Sequence, residues 1–231
     1  MPKYAVVTGG SSGLGKLIVE ALQNYGYETN NWSPDTGVDV RDQASIFEAI
    51  KPMPNQIDML INCAGINIID WFSRLTSDQW DAVMDTNAKG IFNTTQCLLK
   101  TSKLRVGGTV LNIVSNASHM PMTHSAAYNA SKGAAEILTR QMARELGPSH
   151  GLTVFGISPN KLKGTGMSKD IEERVCELRG WTPEEAAKYQ LAALPAGEET
   201  DPETLAEFIG FLLSTKDRHK YLAGCIIQYG A

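Results

Sequence analysis

Apolar residues follow two alternating periods along the chain, and this alternation predicts strands and helices in turn. Residues 4–8 form a short β-branched and apolar run that predicts the first strand. Behind a glycine-rich turn, six apolar residues recur at helical spacing and share one face: Leu14, Leu17, Ile18, Ala21, Leu22 and Tyr25. A helical period directly after a strand predicts a strand–helix unit.

The same rhythm continues towards the end of the chain. Further buried strands are predicted at residues 58–62, 109–115, 153–158 and 225–229. Helices are predicted at residues 45–50, from Thr76, from about Asn87 to Lys103, after Tyr128 and from Asp201. Strands that alternate with helices indicate an α/β fold, here a doubly wound parallel sheet covered on both faces.

Two segments depart from this regularity. The second strand, residues 28–32, is predicted from its place in the rhythm, because its sequence is polar for a buried parallel strand. Residues 34–42 leave little room for a further complete helix-and-strand unit. The long helix after Tyr128 is expected to end at Gly147 and Pro148.

Size and composition narrow the class of protein. A chain of 231 residues with 42% hydrophobic and 20% charged residues is expected to form one domain over residues 1–231. The net charge of −4 and the absence of a basic cluster argue against a nucleic-acid partner. No apolar run reaches the ~20 residues of a membrane span, and residues 1–8 leave no room for a signal peptide.

The four cysteines are far apart and form no Cys-x-x-Cys pair. We expect reduced thiols, no metal site and a cytoplasmic location.

The turn at residues 8–15, Thr-Gly-Gly-Ser-Ser-Gly-Leu-Gly, lies between the first strand and the first helix. Glycines there allow a tight turn and a close approach of backbone to phosphate, and the helix N-terminus favours an anion. The turn lacks the Gly-Lys-Ser/Thr triplet of a P-loop. By itself it is also compatible with an ordinary strand–turn–helix.

A proton-transfer group is predicted downstream. Tyr128 and Lys132 are four residues apart on one helical face, and Ser115 precedes Tyr128 by thirteen residues at a strand end. A neighbouring ammonium, and a positively charged cofactor ring bound beside it, would lower the pKa of a tyrosine from its usual ~10. Tyr128 could then exchange a proton with a carbonyl oxygen that Ser115 orients.

The spacing Thr-Gly-x-x-x-Gly-x-Gly, together with Asn62-Cys63-Ala64-Gly65, Asn87, Ser115 and the Tyr128/Lys132 pair, resembles the short-chain dehydrogenase/reductase family over residues 4–230. The resemblance implies a single Rossmann-fold domain that binds NAD(H) or NADP(H). It also implies a catalytic group of Asn87, Ser115, Tyr128 and Lys132, in which Asn87 holds a water that links Lys132 to solvent.

The cofactor contacts implied by this resemblance are Gly9, Ser11, Ser12, Gly13, Leu14, Gly15, Ser33, Asp39, Val40, Asn62, Ala64, Gly65, Tyr128, Lys132, Pro159 and Thr165. Asp39 would accept a hydrogen bond from the adenine amine.

Cofactor choice depends on the end of the second strand, where a carboxylate would select NAD. Ser33 stands there, so NADP(H) is favoured and NAD(H) remains possible. Lys16 is the nearest basic candidate for a 2′-phosphate, and Asp35 could instead reach a 2′-hydroxyl.

Two segments depart from the family pattern. Asn160 replaces the usual glycine after Pro159, and Thr165 lies about one residue late; asparagine would tolerate a positive φ in this turn. Residues 161–194 are expected to form a lid over the substrate. His119 and His124 lie in the loop before Tyr128, where substrate contact and surface exposure are both open.

The leading function is transfer of a hydride between nicotinamide and a ketone or secondary alcohol of small size. Within this class a 3-oxoacyl carrier-protein reductase is an alternative, although the acidic chain has no obvious basic docking patch. A catalytically silent redox sensor is a second alternative, but such a protein could dispense with Tyr128 or Lys132. A homo-oligomer, a tetramer or dimer, is expected through the helices after Asn87 and Tyr128.

Overall fold

A computed structural model describes residues 2–192, 194, 196–215 and 219–230, so the ends of the predicted domain and position 193 of the predicted lid lie outside the described residues. Its strands are β1 (Lys3–Thr8), β2 (Tyr27–Trp32), β3 (Ile57–Asn62), β4 (Leu104–Ile113), β5 (Thr153–Pro159) and β6 (Ile226–Tyr229). They form one sheet in the order β2-β1-β3-β4-β5-β6, and every pair is parallel. The predicted α/β fold is confirmed.

The helices are α1 (Gly13–Asn24), α2 (Gln43–Ile50), α3 (Ser77–Met84), α4 (Gly90–Lys100), α5 (Ala126–His150), α6 (Gly166–Arg179), α7 (Pro183–Leu191) and α8 (Pro202–Ser214). Thr76 and Gln79 make the predicted capping box, and Asp201 caps α8 ahead of Pro202. The predicted end of α5 is wrong. Pro148 sits inside its last turn, and the helix ends at Gly151, whose left-handed φ of 67° caps it.

The polar second strand lies at the edge of the sheet. The doubly wound order 3-2-1-4-5-6 has a further strand outside this position, whereas here a 3-10 turn (Pro34–Thr36) and α2 lead directly to β3. Tyr27 and Trp32 are buried, while the residues between them are half-buried or exposed. The edge position explains why a polar segment can form this strand.

Two apolar clusters cover the two faces of the sheet. Val6 of β1 belongs to the cluster beneath α2, α4 and α5, and its neighbours Ala5 and Val7 belong to the cluster beneath α1 and α8. Successive residues of a strand face opposite sides, so each strand contributes to both clusters. Because all strands are parallel, the loops after β1, β3, β4 and β5 meet at the carboxyl edge of the sheet.

The segment after β5 folds against the end of the chain. Asn160 is 9% exposed; its Nδ2 donates to the Gly230 carbonyl at 2.6 Å, and its Oδ1 accepts from the Thr200 hydroxyl at 2.5 Å. Asn160 does not have a positive φ, so the expectation that asparagine stands here because it tolerates that conformation is wrong. Asn160 stabilises the segment through its side-chain hydrogen bonds. Within the described part of the chain, no helix is long and apolar enough to cross a membrane.

Candidate active site

The glycine-rich turn brings β1 against the start of α1. The Gly9 N–H donates to the Trp32 carbonyl at 2.8 Å. A Cβ at Gly15 would lie 2.2 Å from the Gly9 carbonyl oxygen, so only glycine fits at this crossing. Leu14 is buried under the helix, whereas Ser12 and Gly13 are exposed at its N-terminus.

This N-terminus fits a dinucleotide pyrophosphate. Ser12 makes no side-chain cap, and the first turn of α1 carries no acidic residue, so its N–H groups and the positive dipole end are available to an anion. Gly13 has a φ of 50°, and its missing side chain leaves open space. It lines a cavity of about 240 Å³ that Thr165 borders from the loop after β5.

Lys16 lines the same cavity and lies 3.9 Å from Glu20. Thr165 caps α6 by accepting from the Ser168 N–H at 3.2 Å.

A small polar cluster lies at the carboxyl end of β2. The Ser11 and Ser33 hydroxyls are 2.5 Å apart, and Asn31 Nδ2 donates to Ser11 Oγ at 2.9 Å. Ser33 is buried and begins the 3-10 turn that contains the exposed Asp35. Ser11 and Ser33, each expected from the sequence to contact the cofactor, therefore lie side by side.

Asp39 and Val40 lie beyond this turn. Both Asp39 carboxylate oxygens accept from Arg41, at 2.6–3.0 Å, and this ion pair lowers the pKa of Asp39. Val40 is buried beneath Gly90, and its carbonyl accepts from Asn93. Sequence reasoning missed Arg41, which occupies the carboxylate expected to meet adenine.

The segment after β3 is fixed from both sides. Thr8 Oγ1 accepts from the N–H groups of Cys63 and Ala64, each at 3.0 Å. Asn62 is 4% exposed, and its amide bonds Asn112 at 2.8 Å and Thr94 at 2.7 Å. The Asn62 side chain is thus engaged within the protein, and it positions Ala64 and Gly65 at the edge of the sheet.

Asn87 anchors the same segment from below. It lies in a π-helical turn, Asp85–Lys89, is fully buried, and bonds the backbone of Ile66 through both ends of its amide. Its Nδ2 also donates to Ser131 Oγ at 2.9 Å. π-helical turns are rare and frequent at functional sites. A Cβ at Gly65 would lie 3.3 Å from Asn87 Oδ1 and 3.7 Å from Lys132 Nζ, so these side chains meet beneath Gly65.

Among the residues that the structure describes, the buried ammonium of Lys132 makes one hydrogen bond. It is 4% exposed, and Nζ donates to the Ile113 carbonyl at 2.9 Å, 5.6 Å from the centre of the Tyr128 ring. Burial lowers the pKa of Lys132 to about 8, because taking the charge out of water outweighs the opposing effect of Cys63.

The Tyr128 hydroxyl lies within reach of Ser115. Burial raises the pKa of Tyr128 above 10, and a hydrogen bond from Ser115 acts in the opposite direction. Desolvation therefore outweighs any lowering of the tyrosine pKa by Lys132, and the further lowering expected from a bound, positively charged cofactor ring stays a prediction. Burial also raises the pKa of Cys63, beside Lys132, to about 11. Cys63 is a further member of this group that sequence reasoning left out.

Of the two histidines before Tyr128, His119 is exposed and His124 is 8% exposed. The His124 ring stacks edge-on against Trp71, with 4.4 Å between ring centres. His124, in the loop between Ser115 and Tyr128, therefore packs against the segment after β3.

Known proteins share this arrangement over most of their length. The short chain dehydrogenase family profile matches residues 32–175. The acetoacetyl-CoA reductase of Shinella zoogloeoides is 30% identical, over 99% of this chain and 97% of its own. The 3-oxoacyl-[acyl-carrier-protein] reductase of Staphylococcus epidermidis is also 30% identical, with the same coverage.

A short chain dehydrogenase family protein from Francisella tularensis has a similar structure, with a TM-score of 0.84, 26% identity, and coverage of 99% of this chain and 97% of its own. The two curated relatives described above are named reductases, so the silent sensor finds no support. The chain belongs to the short-chain dehydrogenase/reductase family and is an oxidoreductase that acts on a ketone or alcohol with a nicotinamide dinucleotide.

Proposed function

We propose that the protein reduces a small ketone with NADPH and that Tyr128 donates the proton. The observation that carries this proposal is the half-buried Tyr128, whose hydroxyl lies beside Ser115, with a lysine that is mostly still charged at neutral pH behind it. A raised tyrosine pKa keeps the phenol protonated at pH 7, which is the form that a carbonyl oxygen needs as it gains charge.

The bound cofactor would supply a hydride to the carbonyl carbon. Ser115 Oγ, fixed by the Ala117 N–H at 3.2 Å, would donate to the carbonyl oxygen and orient it. Tyr128 would give its proton to the same oxygen. Lys132 would stabilise the phenolate that remains, and its ammonium would also bind the ribose hydroxyls of the cofactor.

Asn87 would be a positioning residue for Lys132 and the segment above it. By holding Ile66 at both its N–H and its carbonyl, it fixes Gly65 over Lys132. The water relay expected for Asn87 stays a prediction.

We propose that the cofactor lies along the carboxyl edge of the sheet. Its pyrophosphate would bind the backbone at residues 9–15, with Thr165 on the other side. Its adenosine would lie near Ser33, Asp39 and Val40, and Pro159 would border the nicotinamide. The cavity shared by Gly13 and Thr165 supports the middle of this path.

NADP(H) is the proposed preference. The end of β2 presents hydroxyl and amide groups from Ser11, Asn31 and Ser33, and no carboxylate from the strand itself. Asp35, exposed in the following turn, is the residue that would favour NAD(H) instead.

A 3-oxoacyl thioester is the second candidate substrate. It rests on the two reductases of such substrates that match almost the whole chain at 30% identity. Against it stands the acidic character of the chain, since a carrier protein is itself acidic.

We propose a homo-oligomer, a tetramer or dimer, built on α4 and α5. Phe92 on α4 and Ile137 on α5 are 45% and 65% exposed, and large exposed apolar side chains mark interaction surfaces. The four cysteines are free, which agrees with the cytoplasmic location that we retain as a prediction.

A ketone panel tests the proposal. NADPH and NADH oxidation would be followed by absorbance with acetoacetate, its methyl ester, dihydroxyacetone and acetoacetyl-CoA. We expect turnover of at least one free ketone, faster with NADPH. Turnover of acetoacetyl-CoA alone would favour the second candidate, and no turnover of any ketone would contradict the proposed function.

A further inference from the structure

The last residue of α6, Arg179, has an unusual surrounding for a cation. Its guanidinium carbon lies 4.5 Å from the ring centre of Trp181, 5.2 Å from Tyr189 and 5.9 Å from Trp71. Among the described residues, Arg179 makes one hydrogen bond, from Nη2 to Thr123 Oγ1 at 3.3 Å. The three rings fix the guanidinium in place by cation–π contact.

No carboxylate of the described residues pairs with this guanidinium, in contrast to its neighbour on the same helix. Arg174 lies 3.5 Å from Asp70 and 2.7 Å from Glu177, so both nearby carboxylates are already paired. Asp70 also accepts from the Trp71 N–H at 2.7 Å. The charge of Arg179 is therefore left for a partner from outside the protein.

Two buried polar atoms around Trp71 have no hydrogen-bond partner: Arg179 Nε and His124 Nε2. A third, Asn67 Oδ1, belongs to a side chain that bonds Ser125, the residue after His124. Native proteins pair nearly all buried polar atoms, so these unpaired groups point to a ligand. His124 is also held at a positive φ of 64°, with its carbonyl accepting from the Asp70 N–H at 3.0 Å. The backbone thus presents the imidazole at this spot despite strain.

Continuous contacts join this group to the catalytic residues. Asn67 Nδ2 donates to Ser125 Oγ at 3.3 Å, and Ser125 precedes α5, which carries Tyr128. Asn67 also follows the Gly65–Ile66 segment that lies over Lys132. Asn67, Trp71, His124 and Arg179 are therefore connected to the part of the site that holds Tyr128 and Lys132, and we infer that they face the substrate.

We propose that Arg179, with His124, binds an anionic group of the substrate, so that the preferred ketone is a small oxo acid or a phosphate-bearing ketone. This inference rests on the proposed function and names its substrate class. A guanidinium held by aromatic rings recognises carboxylate and phosphate in the same way, through charge-assisted hydrogen bonds. Arg179 is then a specificity-determining residue, and Tyr128 and Ser115 carry out the chemistry.

Kinetics of Arg179→Gln separate recognition from a purely structural role. kcat/KM would be measured for two charged and neutral pairs: acetoacetate with methyl acetoacetate, and dihydroxyacetone phosphate with dihydroxyacetone. We expect the charged-to-neutral ratio to fall at least tenfold for one pair, which also identifies the anion as carboxylate or phosphate. Turnover of the neutral ketones should change little, which shows that the variant is folded.

Lys169→Gln is the matched control, because it removes a positive charge from an exposed position of the same helix and leaves the pairing of Arg174 with Asp70 and Glu177 intact. It should leave the charged-to-neutral ratio unchanged. An equal fall in both members of each pair for Arg179→Gln would show that Arg179 only holds the lid, and would overturn the proposal.

Direct binding tests the inference apart from turnover. Acetoacetate and dihydroxyacetone phosphate would each be titrated by calorimetry into the protein with NADP⁺, a combination in which no hydride can pass to the ketone. We expect at least tenfold weaker binding of one of the two to Arg179→Gln than to Lys169→Gln. Equal binding by the two variants would overturn the anion site, even where the ketone panel fails to show any reductase activity.

Discussion

The buried ammonium of Lys132 should cost the protein stability at neutral pH. Lys132→Met keeps the length and the apolar stem of the side chain and removes its charge. Because burial lowers the pKa of Lys132 from 10.5 to about 8, the charged form is held at a cost of about 3 kcal/mol relative to the unfolded chain. The variant loses the hydrogen bond to the Ile113 carbonyl, worth ~1 kcal/mol. We expect a net gain of ~2 kcal/mol at pH 7.

The stability difference between Lys132→Met and wild type should depend on pH. Below pH 8 both states of the wild type carry the charge, and the full cost is present. Between about 8 and 10.5 Lys132 holds its proton more in the unfolded state, so the contribution of Lys132 to the stability of the wild type rises with pH. Cys63 and Tyr128 act in the opposite direction because burial raises the pKa of both, but they are present in wild type and variant alike and largely cancel in the comparison. The advantage of Lys132→Met should therefore shrink by ~2 kcal/mol between pH 7 and pH 9.5.

Urea unfolding at pH 7, 8, 8.75 and 9.5, followed by circular dichroism, measures this difference without cofactor. Lys51→Met is the control, because the Lys51 side chain is 68% exposed and its removal should give no such trend. A constant difference between Lys132→Met and wild type across this range would refute the assignment of a desolvated ammonium to Lys132.

Three further predictions concern the reaction. Tyr128→Phe should bind cofactor normally and lose ~10²–10⁴ in kcat, since only the transferable proton is removed, whereas Tyr221→Phe, 80% exposed, should be unaffected; near-native turnover of Tyr128→Phe would exclude Tyr128 as the acid. Ser33→Asp should move the preference from NADPH towards NADH by ~5–30-fold in fluorescence titrations, and a tighter complex of wild type with NADH would assign the ribose contact to Asp35. The kcat/KM of reduction should be constant below pH 8 and fall above it as Lys132 loses its charge. A rise of kcat/KM above pH 8 would contradict the role of the charged lysine.

Most of the fold can be predicted from the sequence, because the spacing of apolar residues within each short segment indicates a strand or a helix. Apolar alternation and helical spacing predict β1, α1 and β3 directly, and the short segment after β2 indicates the missing unit that leaves β2 at the edge. The end of α5 does not follow, because Pro148 forfeits a single backbone hydrogen bond in the last turn and Gly151 supplies a better cap.

The site is predictable where spacing alone determines contact. Tyr128 and Lys132 meet because they share a helical face, and Ser115 meets them because it ends a neighbouring strand. The sign of the Tyr128 pKa shift does not follow from spacing, since it depends on how deeply the folded protein buries the phenol. The ion pair of Asp39 with Arg41 depends on rotamers. The group around Arg179 joins α6 and α7 to Trp71 and Thr123, which lie in loops distant in sequence.

Isotope transfer tests the central claim most directly. NADPH with deuterium at the transferable C4 position would be incubated with the protein and a ketone identified by the panel, and the alcohol would be analysed by mass spectrometry and NMR. The proposed reaction predicts one deuterium on the carbinol carbon with wild type and with Tyr221→Phe, and almost none with Tyr128→Phe. Alcohol that carries no deuterium, or equal label with Tyr128→Phe, would contradict it.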